Sequence, residues 1–188
     1  MTTGPAFRLR RAADCLLAGG LIAHPTEAVW GLACLPQFPA TVARLLEAKQ
    51  RHPAKGLILV AHDEHCFEAL LAPLSLSQRT HMRESWPGPV SFVVPDPMAW
   101  SPEWVRGSHN SVAIRVSRHP LTRELSRLVK GPLITSSANP AGAAPALTAL
   151  QARRYFGESL DYYLAGATDG ESRPSRIIDV ISGKTFRE

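Results

Sequence analysis

Nothing in this chain approaches the roughly 18–20 consecutive apolar residues that a membrane-spanning helix needs. Its opening residues, Met1-Thr2-Thr3-Gly4-Pro5, have no basic stretch followed by an apolar run, which argues against a secretory signal. Cysteine is scarce: Cys15, Cys34 and Cys66 are odd in number, far apart and free of any CxxC pair. That excludes a disulfide framework and a cysteine-rich zinc module. It fits a reducing compartment, so a cytoplasmic location is expected and the three thiols read as small packing groups. GxGxxG is missing. Gly183-Lys184-Thr185 resembles the end of a P-loop, but the position its first glycine requires is Ile178. GxSxG is missing too, which argues against an ordinary α/β-hydrolase. The run His62-Asp63-Glu64-His65-Cys66 carries possible ligands without HExxH or a full zinc set, and reads as a turn or helix start. No internal repeat, low-complexity tract or linker interrupts the chain.

What is present is enough for one core. The 188 residues are 45% apolar, and the domain is placed at residues 7–188. Lys plus Arg number 21 against 16 Asp plus Glu, a net charge of +5. The sequence pI is about 9.5. A basic balance suits an anionic partner such as a nucleotide, nucleic acid or phosphate, or is simply an ordinary solubility charge.

Leu9, Ala12, Ala13, Leu16 and Leu17 recur at helical spacing, and Gly19-Gly20 ends that helix. Residues 21–23 read as a short strand running into a loop at 24–27. A helix is predicted over 40–49, with Val42, Leu45 and Leu46 inward. Residues 57–60 form a continuous apolar run, as in a strand covered on both faces. A short helix around Phe67, Leu70 and Leu71 precedes a polar helix over 77–85. Strands are predicted over 90–94, 112–116 and 132–135, with a helix stripe of Leu121, Leu125, Leu128 and Val129 between the last two. The proline- and tryptophan-rich segment 96–107 reads as loop and is a candidate lid. A helix near 147–156 and short strands at 162–164 and 176–180 complete the chain. Alternating strands and helices predict an α/β fold, a single twisted mixed sheet flanked by helices.

Four polar constellations fall at strand ends or in loops, where α/β sites collect. In the first, Thr26 and Glu27 follow a strand, either to orient a small polar substrate or to cap a turn. The second holds Lys49, Arg51 and Lys55 within seven residues. Lysine suits phosphate as a point charge and arginine binds it bidentately, while cations near a helix C-terminus also complement the dipole. In the third, Arg115 sits inside an apolar strand behind Ser111. It either reaches a ligand carboxylate or joins an internal ion pair. In the fourth, Thr135, Ser136, Ser137 and Asn139 leave a strand and meet Pro-Ala-Gly, as an anion nest or as an ordinary Ser/Asn turn.

In order, these segments resemble the YrdC-type threonylcarbamoyl-AMP synthases, in their short bacterial form. The matching pieces are PTEAVWGL at 25–32, KQRHPAKGLIL at 49–59, SWPGPVSFV at 85–93, SVAIRV at 111–116, HP at 119–120, PLITSSAN at 132–139 and PSRIID at 174–179. The resemblance runs from about residue 7 to the end. It implies a YrdC-like fold and synthesis of threonylcarbamoyl adenylate and pyrophosphate from ATP, L-threonine and bicarbonate. Mg²⁺ would accompany ATP as substrate, held mostly by phosphates and water. Transferase proteins downstream would pass the product to an adenosine beside the anticodon of certain tRNAs. By resemblance, Lys49 and Arg51 carry the catalytic KxR signature and Ser137 with Asn139 the SxN signature. Arg51, Lys55, Ser111, Asn139 and Arg187 would contact ATP. Thr26, Arg115, Ser137 and Ser175 would hold threonine, with Arg115 on its carboxylate. The chain departs from the pattern near Val60, where longer members carry a histidine, and at Trp30, where Tyr or Phe is usual.

A competing reading is an RNA-binding module for tRNA or ribosomal RNA precursor, with Arg8, Arg10, Arg11, Arg153 and Arg154 as its phosphate-contacting face. Those same residues also read as solvated helix surface. A carbamoyl adenylate activity fed by carbamoyl phosphate is a third, in a family whose members are normally far larger.

Overall fold

A computed structural model describes residues 4–170 and 175–187. Pro174 of the PSRIID segment and the last residue of the expected domain lie outside these. The helices are α1 (Pro5–Leu17), α2 (Pro39–Ala48), α3 (Glu68–Leu71), α4 (Leu76–Ser85), α5 (Glu103–Arg106), α6 (Pro120–Leu128) and α7 (Ala149–Phe156). The strands are β1 (Ile22–Pro25), β2 (Trp30–Cys34), β3 (Ile58–Ala61), β4 (Val90–Pro95), β5 (Ser111–Val116), β6 (Leu133–Ser137), β7 (Tyr162–Tyr163), β8 (Arg176–Asp179) and β9 (Thr185–Arg187). They form one mixed sheet in the order β7-β1-β2-β6-β3-β5-β4-β8-β9. Three pairings are parallel, β1 with β7, β3 with β5 and β4 with β8; the others are antiparallel.

Period-two alternation decides which helix covers which face. Leu21, Ala23, Leu32, Cys34, Leu59, Ile114 and Ile134 point into the larger core, which takes in Val42 and Leu45 of α2, Leu70 and Leu71 of α3, Met82 of α4 and Ala152 of α7. Their strand neighbours Ile22, Ala33 and Leu133 point the other way, under Ala12, Ala13 and Leu16 of α1 and Leu125 of α6. Two residues further along this second face, Ala33 gives way to Gly31, and Leu133 to Thr135 and then Ser137. These three line a cavity. The face that α1 and α6 cover at one end is therefore left open at the other, where its residues turn small and polar.

Two expectations are corrected. His24 and Pro25 belong to β1, not to a loop, and β1 forms a hairpin with β2 around residues 26–29. Segment 96–107 is not all loop, since it contains α5. It is also pinned in place. Asp96 accepts from Trp100 N at 2.7 Å, Ser101 N at 2.9 Å and Ser101 Oγ at 2.5 Å. Trp104 Nε1 donates to Pro36 O at 2.9 Å. Those anchors argue against its being a lid.

Candidate active site

The cavity measures about 660 Å³, within the usual range for small-molecule sites of about 300–1,000 Å³. All ten residues singled out from the sequence line it: Thr26, Lys49, Arg51, Lys55, Ser111, Arg115, Ser137, Asn139, Ser175 and Arg187. The sheet order brings them together. β2, β6, β3, β5, β4 and β8 lie side by side, and the connections at their ends supply the rest.

Lys49 follows α2 as its C-cap, yet it does not serve its own helix. Its buried ammonium crosses to β6 and donates to Ser137 O and to Asn139 O, the latter at 2.8 Å. In return, Ala141 N donates to Lys49 O at 2.8 Å. The helix end and the SxN turn are thereby tied at three points. An ammonium has three N–H donors, so one remains for the cavity. Burial first, and then the Arg51 charge, pulls its pKa from 10.5 to about 8.

Arg51 Nη2 donates to Gly56 O at 2.9 Å, bracing the short turn at Pro53–Lys55 that presents Lys55. That turn interlocks with the end of α5. Leu57 N donates to Val105 O at 2.8 Å and Ser108 N to Ala54 O at 3.2 Å. Gly107 makes the close approach possible. Its φ is +66°, and a Cβ there would stand 2.6 Å from both Ala54 O and Pro53 O. Gly107→Ala is expected to destabilise the fold by about 2 kcal/mol or more, from left-handed strain and displaced backbone. Urea unfolding checks this, and an unshifted midpoint contradicts the interlock.

On the other side, Thr26 Oγ1 donates to Val29 O at 2.7 Å, closing the hairpin turn and leaving its lone pairs free to accept. Glu27 is buried and holds three donors: Arg115 Nη1 at 3.2 Å, Ser117 Oγ at 2.7 Å and Arg118 N at 3.1 Å. Burial pushes its carboxyl pKa up, but Arg115 and these hydrogen bonds outweigh that and hold it below the usual range. Arg115 thus does sit in an internal ion pair, and it lines the cavity as well.

Ser137 Oγ donates to Asn139 Oδ1 at 2.6 Å, and Asn139 Nδ2 donates to Ala143 O at 2.8 Å and Pro140 O at 3.1 Å. The Asn139 amide hydrogens therefore belong to the turn, and Oδ1 is what the side chain keeps for a ligand. Ser111 opens β5. At the far rim, Arg187 of the edge strand β9 donates to Ser175 O through Nε and Nη2, at 2.9 and 2.7 Å, and to Ser175 Oγ at 3.0 Å. Though Arg187 lies on an exposed strand, desolvation of its guanidinium at the cavity rim, then the charges of Arg115 and Arg51, lower its pKa.

Sequence reading missed Arg106, His109 and Phe186, which also line the cavity. Arg106 hid in a segment taken for loop, and a four-residue helix is too short to show a period. Glu27, read from sequence only as a neighbour of Thr26 after a strand, proves to be the counter-charge of Arg115. The charge is lopsided. Among the described residues Lys49, Arg51, Lys55, Arg106, Arg115 and Arg187 face one carboxylate, Glu27. Among the described residues no group of three or more His, Cys, Asp or Glu is placed to hold a metal ion. The arginines suggested for RNA contact, Arg8, Arg10, Arg11, Arg153 and Arg154, lie off this cavity, and Arg153 stacks on the Tyr163 ring at 4.1 Å.

Fold and site together define a single-sheet α/β protein with a cation-rich, small-molecule cavity. The chain belongs to the Sua5/YciO/YrdC family, whose model, described as telomere recombination, matches residues 14–188. A threonylcarbamoyl-AMP synthase of Marinobacter nauticus is 47% identical, covering 99% of this chain and 98% of its own. One from Chromohalobacter salexigens is 50% identical over 97% of each. Among solved structures, P. abyssi Sua5 complexed with L-threonine superposes with a TM-score of 0.86 at 26% identity, covering 95% of this chain. This chain spans only 52% of that protein. Among the described residues, no helix is long and apolar enough to cross a membrane.

Proposed function

We propose that this chain is a threonylcarbamoyl-AMP synthase, an adenylate-forming transferase that joins L-threonine, bicarbonate and ATP and releases pyrophosphate. The observation that carries the reading is one cavity holding two kinds of binding group. Lys49, Arg51, Lys55 and Arg187 suit a triphosphate, and Thr26, Arg115, Ser137 and Ser175 suit an amino acid. The synthase relatives that match nearly end to end support it.

The chemistry follows from charge. The threonine amine takes up bicarbonate, losing water, to give an N-carboxylate. One oxygen of that carboxylate attacks the α-phosphorus, and pyrophosphate leaves with the electron pair of the broken P–O bond. Attacking group, triphosphate and leaving group are all anionic, so the work is neutralisation and alignment. Lys49 and Arg51 stabilise the reacting phosphates, and Lys55, Ser111, Asn139 and Arg187 hold the nucleotide. Arg115 holds the threonine carboxylate, and Thr26, Ser137 and Ser175 accept from or donate to its amine and hydroxyl. Mg²⁺ enters with ATP as part of the substrate. Among the described residues the one lining carboxylate, Glu27, is already engaged by three donors, which leaves the metal to phosphates and water. Residues 7–188 act as one cytoplasmic catalytic unit, and the transferase that modifies tRNA consumes the product.

The test is pyrophosphate release from MgATP and bicarbonate. Strict dependence on L-threonine, with L-serine a poorer substitute, is expected. No release with any amino acid would overturn the reading.

A further inference from the structure

One cation of the cavity is left without a task. Arg106 ends α5, and its side chain is only 16% exposed. Its Nε is buried with no hydrogen-bond partner. The nearest acid is Asp96, whose Oδ2 lies 3.7 Å away, beyond hydrogen-bond reach. At that distance Arg106 is a counter-charge for buried Asp96 and not a hydrogen-bond donor to it; the donors to both carboxylate oxygens are Trp100 N and the backbone and hydroxyl of Ser101. A guanidinium has five donors, and to bury it short of acceptors is costly. Oxygens brought by an anionic ligand would offset that cost.

We propose that Arg106 binds the phosphates that leave as pyrophosphate, beside Lys55. The assignment rests on the synthase reading. Its placement comes from the backbone. Gly56 lies against Arg106 O, which a Cβ on Gly56 would approach to 2.8 Å, and Leu57 N bonds Val105 O. Arg106 therefore rides on the turn that carries Lys55. The chain then passes into Ser111 at the start of β5, and Arg115 stands four residues further along that strand, about 13 Å at strand rise. Its neighbour on the shared turn, Lys55, puts it with the polyphosphate and not with the carboxylate end of the amino acid. Its planar fork suits two phosphate oxygens at once.

Calorimetric titration of pyrophosphate, MgATP, AMP and L-threonine into wild type, Arg106→Gln, Arg106→Lys and Asp96→Asn tests this, with urea midpoints measured alongside. Arg106→Gln is expected to weaken pyrophosphate and MgATP about tenfold, a loss of about 1.4 kcal/mol. AMP and threonine binding should hold, whatever the urea midpoint loses with the Asp96 counter-charge. Arg106→Lys should keep part of the affinity, and Asp96→Asn should leave pyrophosphate binding intact. Unchanged pyrophosphate binding in Arg106→Gln overturns the proposal. So does a loss of stability alone, which would make Arg106 a structural partner of Asp96. An equal loss of AMP would move it to the nucleoside and overturn it as well. If wild type binds neither pyrophosphate nor MgATP, the synthase reading fails first and takes this assignment with it.

Discussion

Arg115→Ala is expected to cost about 3–5 kcal/mol of stability and to abolish saturation by threonine at ordinary concentrations. The first effect comes from what is left behind. Glu27 stays buried, its carboxylate still needed by Ser117 Oγ and Arg118 N but stripped of its counter-charge. Burial then raises its pKa against only the hydrogen bonds from Ser117 and Arg118, so the penalty should shrink as pH falls and the carboxyl protonates. In wild type the sign is the reverse. A lowered Glu27 pKa gives stability that is present above the unfolded value of 4.5 and is lost as pH falls through the folded one. The second effect needs separating from the first. Glu27→Gln combined with Arg115→Met keeps an acceptor for Ser117 and Arg118 and fills the space of the guanidinium. That double variant should regain most of the urea midpoint while its threonine dependence stays lost. Recovery of threonine-dependent turnover in it would reduce Arg115 to a purely structural role.

Lys49→Met is expected to lower kcat/KM about 10²–10³-fold, the scale seen when one preorganised donor to a developing charge is removed. A pH profile gives the finer test. With its pKa near 8, Lys49 loses its charge within the working range, so ATP affinity should fall as pH rises through 8. A bound triphosphate favours the ammonium, and saturating ATP should therefore push the limb to higher pH. Lys49→Arg stays charged throughout and should show no such limb, whatever its rate. The stability of the free protein moves the other way. Between pH 8 and the ordinary 10.5 the unfolded chain binds more protons at Lys49 than the folded one, so folding gains as pH rises while binding declines. A wild-type ATP affinity flat from pH 7 to 9.5 would contradict the charged role.

The strands that sequence made legible are those whose apolar runs stand between clear breaks: 57–60, 90–94 and 112–116 all correspond to observed strands. What escaped did so for physical reasons. β2 is buried on both faces, so Trp30 to Cys34 show no alternation, and the run merges with the turn before it. β9 is exposed along its whole length and pairs only at the sheet edge, so nothing apolar announces it. α4 starts at Leu76, one residue before the predicted 77, because its start signal is polar: Ser75 and Gln78 form a reciprocal capping box. The residues taken from the family resemblance line one cavity, since a resemblance marks residues without regard to the element they occupy. Motifs could not say what each side chain touches. Lys49 reads as a dipole partner yet bonds another strand, and the alternatives for Arg115 turn out to be compatible, since one guanidinium both pairs with Glu27 and faces the cavity.

The cavity draws its walls from Thr26 near one end of the chain and from Arg187 near the other, with the sheet's middle strands between them. A molecule lodged there acts by mass action as a removable cross-link. Most of its lining stands on the sheet's inner strands, so emptying that part of the pocket means parting them, and occupancy is set mainly against global unfolding. Free ligand at a hundred times its dissociation constant would add about 2.7 kcal/mol to the whole protein. Amide exchange should then slow together in β2 and β8, far apart in sequence, rather than in one loop. Nucleotide supply would thereby set not only how fast such a protein turns over but how long it survives a protease.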